Sequence, residues 1–423
     1  MNETMFTRSV LVVIVLATCA NFVSLPTGRD SRIVLSLAFA AVVCGLWLLR
    51  VLRGEAQVAR SVAAPVAAFV AAGAFSWIWS KLTADVLLWI WPSFSMVQIA
   101  ALLVNSLLPL MLLLTASVVR SPIWSERFVW LLIIVGVASL AARTFSLPIA
   151  IMLDNGTRGL FVAWSTGAAA LLLLYRWRAS AWWWRAAAVL LLAGNIYHYF
   201  FLHRLWMSGW LPMLTAVFCL AWLRSWKFGV LVSAGGLVLA VLFAQDLYDT
   251  IVVDNQREGG LQRIELWMMN LQHVANHPVF GLGPAGYAPY NMTYHPRDAR
   301  STHNNYFDVL AQTGAVGAVC FVWLLASIGR SAWGVYVRAS LQSFDRGYAA
   351  LALAVFIAAL GAMMLGDWVL PFAYNQSITG FDNAVISWIG WGLALGAISQ
   401  NQRPLHGGTQ RLGKPFDQRL GRQ

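Results

Sequence analysis

Residues 95–119 read SMVQIAALLVNSLLPLMLLLTASVV, 25 residues without a charge, and Arg120 closes the run. A helix rises 1.5 Å per residue, so this stretch would extend about 37 Å, more than the roughly 30 Å of hydrocarbon in a bilayer. Comparable apolar runs recur near Ser9–Leu25, Ile33–Leu49, Ser61–Trp79, Phe128–Leu147, Gly159–Tyr175 and Trp182–Leu202. Five more follow, near Leu205–Leu223, Phe228–Ala244, Asn305–Ile328, Tyr348–Leu370 and Asn383–Ile398. Together they predict an all-α polytopic membrane protein with about 12 transmembrane helices. Ala84–Trp91 reads as an interfacial lead-in to the fourth helix. The first run lacks a convincing small-residue cleavage site after Asn21 and reads as a retained helix.

Composition agrees with a bilayer as the main solvent. The chain is 59% hydrophobic and 11% charged, with mean hydropathy +0.66, against about half apolar and a quarter charged for soluble domains. Cys19, Cys44, Cys219 and Cys320 lie within apolar runs and show no paired spacing, so they signal neither a disulfide framework nor a zinc site.

Charge sets an expected orientation, because cytoplasmic loops hold the Lys and Arg excess. With an even helix count, the side shared by the termini carries 19 of the 29 basic residues and 5 of the 17 acidic ones, a net of +14 that leaves −2 for everything else. Both termini are therefore expected in the cytoplasm. This accounts for a pI near 10 without nucleic acid: the basic residues are spread over many loops as topology signals and membrane-lipid contacts. The expected organisation is helices one to nine over residues 1–244, a loop outside the cytoplasm over 245–302, helices ten to twelve over 303–400, and a basic tail over 401–423 whose composition predicts disorder. Within the loop, Arg263–Asn276 reads as an amphipathic helix ended by Pro278 and a turn at Gly281, Gly283 and Gly286.

The remaining cations, Arg29, Arg32, Lys81, Arg143, Arg158, Arg204, Arg257, Arg263, Arg297 and Arg300, fall on the outer side, against the topology rule. Arg143 ends an apolar run and Arg204 sits in the tight connection HRLWMSGW. A cation at that depth is costly unless paired and marks a candidate site. A guanidinium fork suits a diphosphate, whose oxygens it binds bidentately. The alternative for each is pairing with Asp154, Asp308, Asp367 or Asp382, or snorkelling to head groups.

The segment RIELWMMNLQHVANHPVFGLGPAGY at 263–287, followed by STHNNYFDVLAQTGAVGAVCFVWLL at 301–325, resembles the signature region of the O-antigen ligase and O-antigen polymerase superfamily. The features that carry the resemblance are Arg263 opening a helix, His277-Pro278, the turn Gly281-Leu282-Gly283, His303-Asn304, Tyr306, and Gly314 to Gly317. The resemblance implies a metal-independent glycosyltransferase of the C-type membrane fold that needs no cofactor. Its donor would be an undecaprenyl-diphosphate-linked glycan and, for a ligase, its acceptor the lipid A core. It points to His303 as the catalytic histidine and Arg263 as a diphosphate ligand. Arg204 matches a further family arginine by position only, since His203 stands where the family has Ser. Arg143 and Arg158 join the candidate diphosphate ligands, with Asn304, Asp367 and Arg300 as supporting residues.

The chemistry is consistent on its own terms. Inverting transfer needs a base for the acceptor hydroxyl, and an imidazole titrates near neutrality. A diphosphate is a good leaving group, whose developing charge arginines stabilise in place of a general acid or a metal. A loop–helix histidine is otherwise a cap or a packed polar residue. His273 and His277 are four apart, but HVANH lacks the glutamate of a metalloprotease site. The GLGPAG run has no preceding strand and is no nucleotide loop. Ligase is favoured over polymerase by chain length and the single prominent outer loop. A transporter would predict internal repeats and charges near mid-membrane, which the sequence does not display.

Overall fold

A computed structural model describes residues 3–19, 31–83, 85, 94–147, 153, 156–177, 180–203, 207–249, 261–294, 301–341, 343–372 and 380–396. Each apolar run falls wholly or in part on a helix among the described residues. The first five are α1 (Glu3–Cys19), α2 (Ser31–Leu52), α3 (Arg60–Leu82), α4 (Phe94–Val118) and α5 (Pro122–Thr144). They are followed by α6 (Leu160–Tyr175), α7 (Trp182–Asn195, continued as a π-helix over Ile196–Leu202), α8 (Met207–Arg224) and α9 (Trp226–Leu242). The expected amphipathic helix is α10 (Leu261–Asn276). After it come α11 (Tyr287–Tyr294), α12 (Asn305–Arg338), α13 (Phe344–Ala362) and α14 (Gly380–Gly396). Among the described residues, eight helices are long and apolar enough to cross a membrane: α2, α3, α4, α5, α7 with its π continuation, α8, α12 and α13. The other expected crossings fall on helices of 16 or 17 residues, α1, α6, α9 and α14. The Ala84–Trp91 lead-in lies outside the described residues except for Asp85, as does the tail.

The bundle is built on close helix contacts. α14 lies against α4, α6 and α13 against α8, and α12 against α3. Where α14 meets α4, a Cβ on Gly392 would lie 2.8 Å from the Leu112 carbonyl oxygen, and one on Gly396 2.1 Å from that of Val119. This small-xxx-small spacing lets two backbones approach in a medium that offers no hydrophobic drive between helices. Trp164, Trp388 and Trp391 are fully buried, and Trp164 Nε1 donates to Ser387 Oγ at 3.1 Å.

Polar contacts collect the basic loops at one end of the bundle. Arg120 pairs with Glu3 at 3.6 Å, Arg50 with Glu55 at 3.3 Å, and Arg176 with Glu126. Arg224 Nε donates to the Leu174 carbonyl at 2.9 Å, and Arg346 stacks over Tyr336, 4.4 Å from the ring centroid. Exposed pairs of this kind contribute about 0–1 kcal/mol each. Arg120 also donates to Gln57 Oε1 at 2.8 Å, and Tyr336 OH to the Leu223 carbonyl, so the start of α1 and the ends of α2, α4, α6, α8 and α12 share one face, and the start of α12 lies at the opposite end.

α12 departs from expectation in two ways. It runs 34 residues to Arg338, past the expected Ile328, because its last turns continue beyond membrane thickness into the charged end. It is also broken at Gly314, with φ 63° and ψ −167°, a conformation open to glycine and strained for other residues. The turn His277–Gly286 is inserted into that break. Leu282 and Gly283 N–H donate to the carbonyls of Ala311 and Gln312, both at 2.9 Å. Ala315 and Val316 N–H donate to the carbonyls of Pro278 and Val279 at 2.8 and 3.2 Å. In an unbroken helix those four groups would bond one another as 315 to 311 and 316 to 312, so the turn occupies two rungs of the ladder. Ser76 Oγ from α3 reaches the carbonyls of Phe280 and Gln312 at 2.7 and 2.6 Å. The HPVFGLG and Gly314 motifs are thus two halves of one joint.

The expected helix to Leu370 is corrected: α13 ends at Ala362, and residues 363–372 run irregularly and mostly buried. Irregular backbone at such depth persists only where protein satisfies its polar groups. Asn305 does so, its Nδ2 donating to the Leu370 carbonyl at 2.6 Å while its Oδ1 accepts from Val369 and Leu370 N–H at 3.2 and 3.3 Å. Asn305 N–H also bonds the Met363 carbonyl at 2.8 Å. Leu282, Ala285, Tyr287, Ala311 and Phe372 then form a second small core under the outer segment.

Because a Cβ at Gly314 would lie 2.3 Å from the Val279 carbonyl oxygen, Gly314→Ala is expected to cost about 2–4 kcal/mol through strain and lost insertion. Thermal unfolding in detergent checks this. Gly235→Ala, which meets nothing within 4 Å, serves as control and should leave Tm unchanged or raised.

Candidate active site

The site is assembled where α12 begins. Asn304 is its N-cap, and its Oδ1 accepts from Tyr306 and Phe307 N–H at 3.0 and 3.4 Å, supplying partners that the first helical turn lacks. His303 just before it holds φ +50°, a left-handed conformation that costs an L-residue on the order of 1–2 kcal/mol.

Buried partners on both sides offset that strain. Thr302 Oγ1 donates to Asp308 Oδ1 at 2.6 Å, and Tyr287 OH donates to the same oxygen at 2.6 Å. Thr302 N–H donates to Tyr287 OH at 3.3 Å, and Trp267 Nε1 to the Thr302 carbonyl at 2.8 Å. Ser301 Oγ donates to Asp367 Oδ2 at 2.7 Å and accepts from His303 N–H at 3.0 Å. Ser301, Thr302, Asn304 and Asn305 are buried, while His303 is half-buried. The loop therefore has its neighbours anchored inward and one imidazole at the surface. Burial, reinforced by the Asp308 and Asp367 carboxyls, pushes the Tyr287 phenol well above its ordinary value, so it remains a proton donor to Asp308.

Arg263 enters through α10. Trp267 and Asn270, one and two turns along, face this loop: Trp267 stacks on Phe307 with centroids 5.4 Å apart, and Asn270 Nδ2 reaches the Phe307 carbonyl at 3.4 Å. Arg263 precedes them at i−4 and i−7, which places it on the same helix face about 6 Å further toward the N-terminus. Among the described residues it has no hydrogen-bond or ion-pair partner, and it is half-buried.

Arg143 and Arg158 belong to a neighbouring cluster. The Arg143 guanidinium bonds Tyr199 OH and donates to Thr157 Oγ1 at 2.9 Å and to the Thr157 carbonyl at 3.4 Å. Arg158 follows Thr157 in the chain and is exposed. The His198 and His203 rings lie 4.5 Å apart beside Tyr199. The two clusters adjoin, because a Cβ on Gly159 would lie 2.2 Å from the Trp368 ring, and Trp368 follows Asp367. Arg204 and Arg300 lie outside the described residues, as do Arg29, Arg257, Arg297 and Asp154.

Several readings are refined. Asp367, expected near the end of a helix, lies in the irregular 363–372 segment and accepts from Ser301. Asp308 takes two hydroxyls, and Asp382 takes Ser36 Oγ at 2.5 Å. Among the described residues, none of these contacts is with an arginine. His273 and His277 pack against Tyr290, with centroids 5.4 and 6.0 Å away, and burial lowers the His277 pKa. Both pack α10 against α11, where His273 Nε2 also lies 2.9 Å from Asn291 Oδ1. Ser301, Thr302, Tyr287 and Asn305 were missed as site residues. Their one available signal was a carboxylate, Asp308, inside an apolar run.

The fold and this site define a multi-pass helical membrane protein with a histidine loop at the end opposite its basic loops. Residues 207–322 match the family model described as O-antigen ligase. The resemblance to the O-antigen ligase superfamily is thereby shown, at the level of a domain that spans α8 to mid-α12. The match begins well upstream of the motif at Arg263 and includes Arg263, His303 and Asn304. Arg143, Arg158 and Asp367 lie beyond it. Comparison with curated proteins found no match.

Tyr287→Phe keeps the ring stacked on Phe372, 4.6 Å away, yet leaves the Thr302 amide and an Asp308 oxygen short of a partner. The variant is expected to lose about 1–3 kcal/mol and to show faster amide hydrogen exchange at residues 301–304. Unchanged exchange there would contradict the anchoring role.

Proposed function

We propose that this chain is an O-antigen ligase that transfers a preassembled glycan from undecaprenyl diphosphate to the lipid A core at the periplasmic face of the bacterial inner membrane. The observation that carries the reading is His303, held half-exposed in a left-handed conformation at the mouth of α12, inside the family-matched stretch and at the end opposite the basic loops. The charge distribution supports a cytoplasmic location for those loops and for both termini, with twelve crossings between them.

In this reading His303 accepts the proton of the acceptor hydroxyl as its oxygen attacks the anomeric carbon. The bond from that carbon to the diphosphate breaks with inversion, and undecaprenyl diphosphate leaves with the electron pair. Arg263 holds the phosphate oxygens and stabilises the charge that develops on them. Arg143, Arg158 and Arg204 extend the cationic rim. Asn304 and Asp367 position the imidazole through the cap and through Ser301. The transfer uses no metal and no cofactor.

Purified protein incubated with lipid-linked glycan, with and without lipid A core, tests the assignment. Product on the core supports the ligase, and lengthened carrier-linked chains would instead assign a repeat-unit polymerase using the same donor. His303→Ala is expected to reduce transfer by about 10²–10⁴-fold with Tm retained, and near-normal transfer would remove the base. Arg263→Ala should weaken donor binding several-fold more than Arg263→Lys, because a lysine keeps the charge and loses the fork. A lysine variant that binds donor as tightly as wild type would remove the bidentate contact.

A further inference from the structure

The exposed surface of α12 changes course at the Gly314 joint. On the side of the joint toward the basic loops, Ala315, Val316, Val319, Val322 and Trp323 are exposed along one face of the helix, whereas none of residues 304–314 is exposed. α10 and the turn account for the difference, since Trp267, Asn270, Leu282 and Gly283 lie against that part of α12. α10 in turn shows an exposed apolar stripe, Ile264, Met268, Leu271 and Ala275 at helical spacing, which Val279 continues past the helix end. Val279 is 51% exposed and its carbonyl accepts from Val316 N–H, so the apolar face of α12 passes directly to that of α10. Glu265, Gln272 and Asn276 are exposed on a separate, polar side of α10. Two helices give the depth of the joint. Ala315 and Arg330 on α12 are 15 residues apart, at most about 22 Å at helical rise, against about 30 Å of hydrocarbon. With Arg330, the first cation of α12, at the basic edge, the joint lies about 8 Å inside the far edge. On α3, Ser76, which bonds the turn, precedes the exposed Lys81 by five residues, about 7.5 Å.

We propose that α10 and the turn after it form a re-entrant segment, whose stripe from Ile264 to Val279 lies against the acyl chains of the leaflet opposite the basic loops. Depth and continuity select the occupant: the stripe extends a face that already meets lipid, and its Val279 end lies below the hydrocarbon edge. The division of α10 into an apolar and a polar exposed side fits a helix with lipid on one flank and water on the other. Non-helical backbone at such depth requires protein partners for its polar groups, and the bonds of the joint supply them. Height at the site follows. The ten residues from Asn305 to Ala315 rise at most about 15 Å, so the His303 loop stands within about 7 Å of the hydrocarbon edge, in the head-group layer. This placement is independent of what the site transfers.

The test uses the unmodified full-length protein in nanodiscs, so no substitution can disturb the fold. One sample contains phosphatidylcholine with a photoactivatable diazirine in the middle of an acyl chain, and a parallel sample receives a water-soluble diazirine; labelled residues are located by mass spectrometry. The acyl-chain probe is expected to label Val279 and Leu271 as heavily as Val319 on α12, and Met268 and Ile264 progressively less as α10 rises toward the head groups. The aqueous probe is expected on Glu265 and Gln272. Aqueous label on Leu271 and Val279 as heavy as on Glu265 would mean that the segment is a loop in water. Absence of both labels there would mean a face covered by protein, such as a second copy of the chain. Either result would overturn the proposal.

Discussion

Backbone hydrogen bonding in a medium without water is the constraint on which this structure depends. Every N–H and C=O removed from a helix ladder inside the bilayer must find a protein partner, at a cost of several kcal/mol if it does not. α12 gives up two rungs around Gly314, and the turn at 278–283 takes over both, donating twice and accepting twice. The consequence is positional. A segment that would otherwise be an external loop is fastened into the helix that begins with Asn304, so α10, α11 and the His303 loop become one rigid assembly.

The same logic extends to the chemistry. Positioning an imidazole in a left-handed conformation requires that its neighbours be held more firmly than the strain can undo. The hydroxyls of Ser301, Thr302 and Tyr287, ending on the carboxyls of Asp367 and Asp308, provide that hold. Asn305 fixes the irregular 363–372 segment from which Asp367 projects. In the proposed reading, an imidazole on such a preset loop reaches its geometry before substrate arrives, the condition under which electrostatic stabilisation becomes catalytically effective.

Much of the fold was legible because spanning helices announce themselves by length and apolarity, and loop charges sort themselves by side. Most helix ends matched within a few residues for that reason, although α1 and α5 begin earlier and α12 and α13 end elsewhere than expected. The break in α12 was not legible: apolarity and helical spacing continue through Gly314, and only the tertiary partner reveals that the ladder is open. The early end of α13 was hidden likewise, since MLGDWVL at 364–370 is nearly as apolar as a helix. His303, Asn304 and Arg263 were singled out as candidates through their motif. The anchors behind them are common residue types whose importance comes from burial, which a single sequence does not display. The glycines that signalled a family by pattern proved to mark the places where another backbone must come close.

Amide hydrogen–deuterium exchange of the wild-type protein in nanodiscs, resolved over residues 278–283 and 311–316, tests the inserted joint most directly. The amides of Leu282, Gly283, Ala315 and Val316 are predicted to exchange as slowly as those in the middle of α12. Rapid exchange of Leu282 and Gly283 together with slow exchange of Ala315 and Val316 would describe an unbroken helix beside a free loop, and would contradict the account.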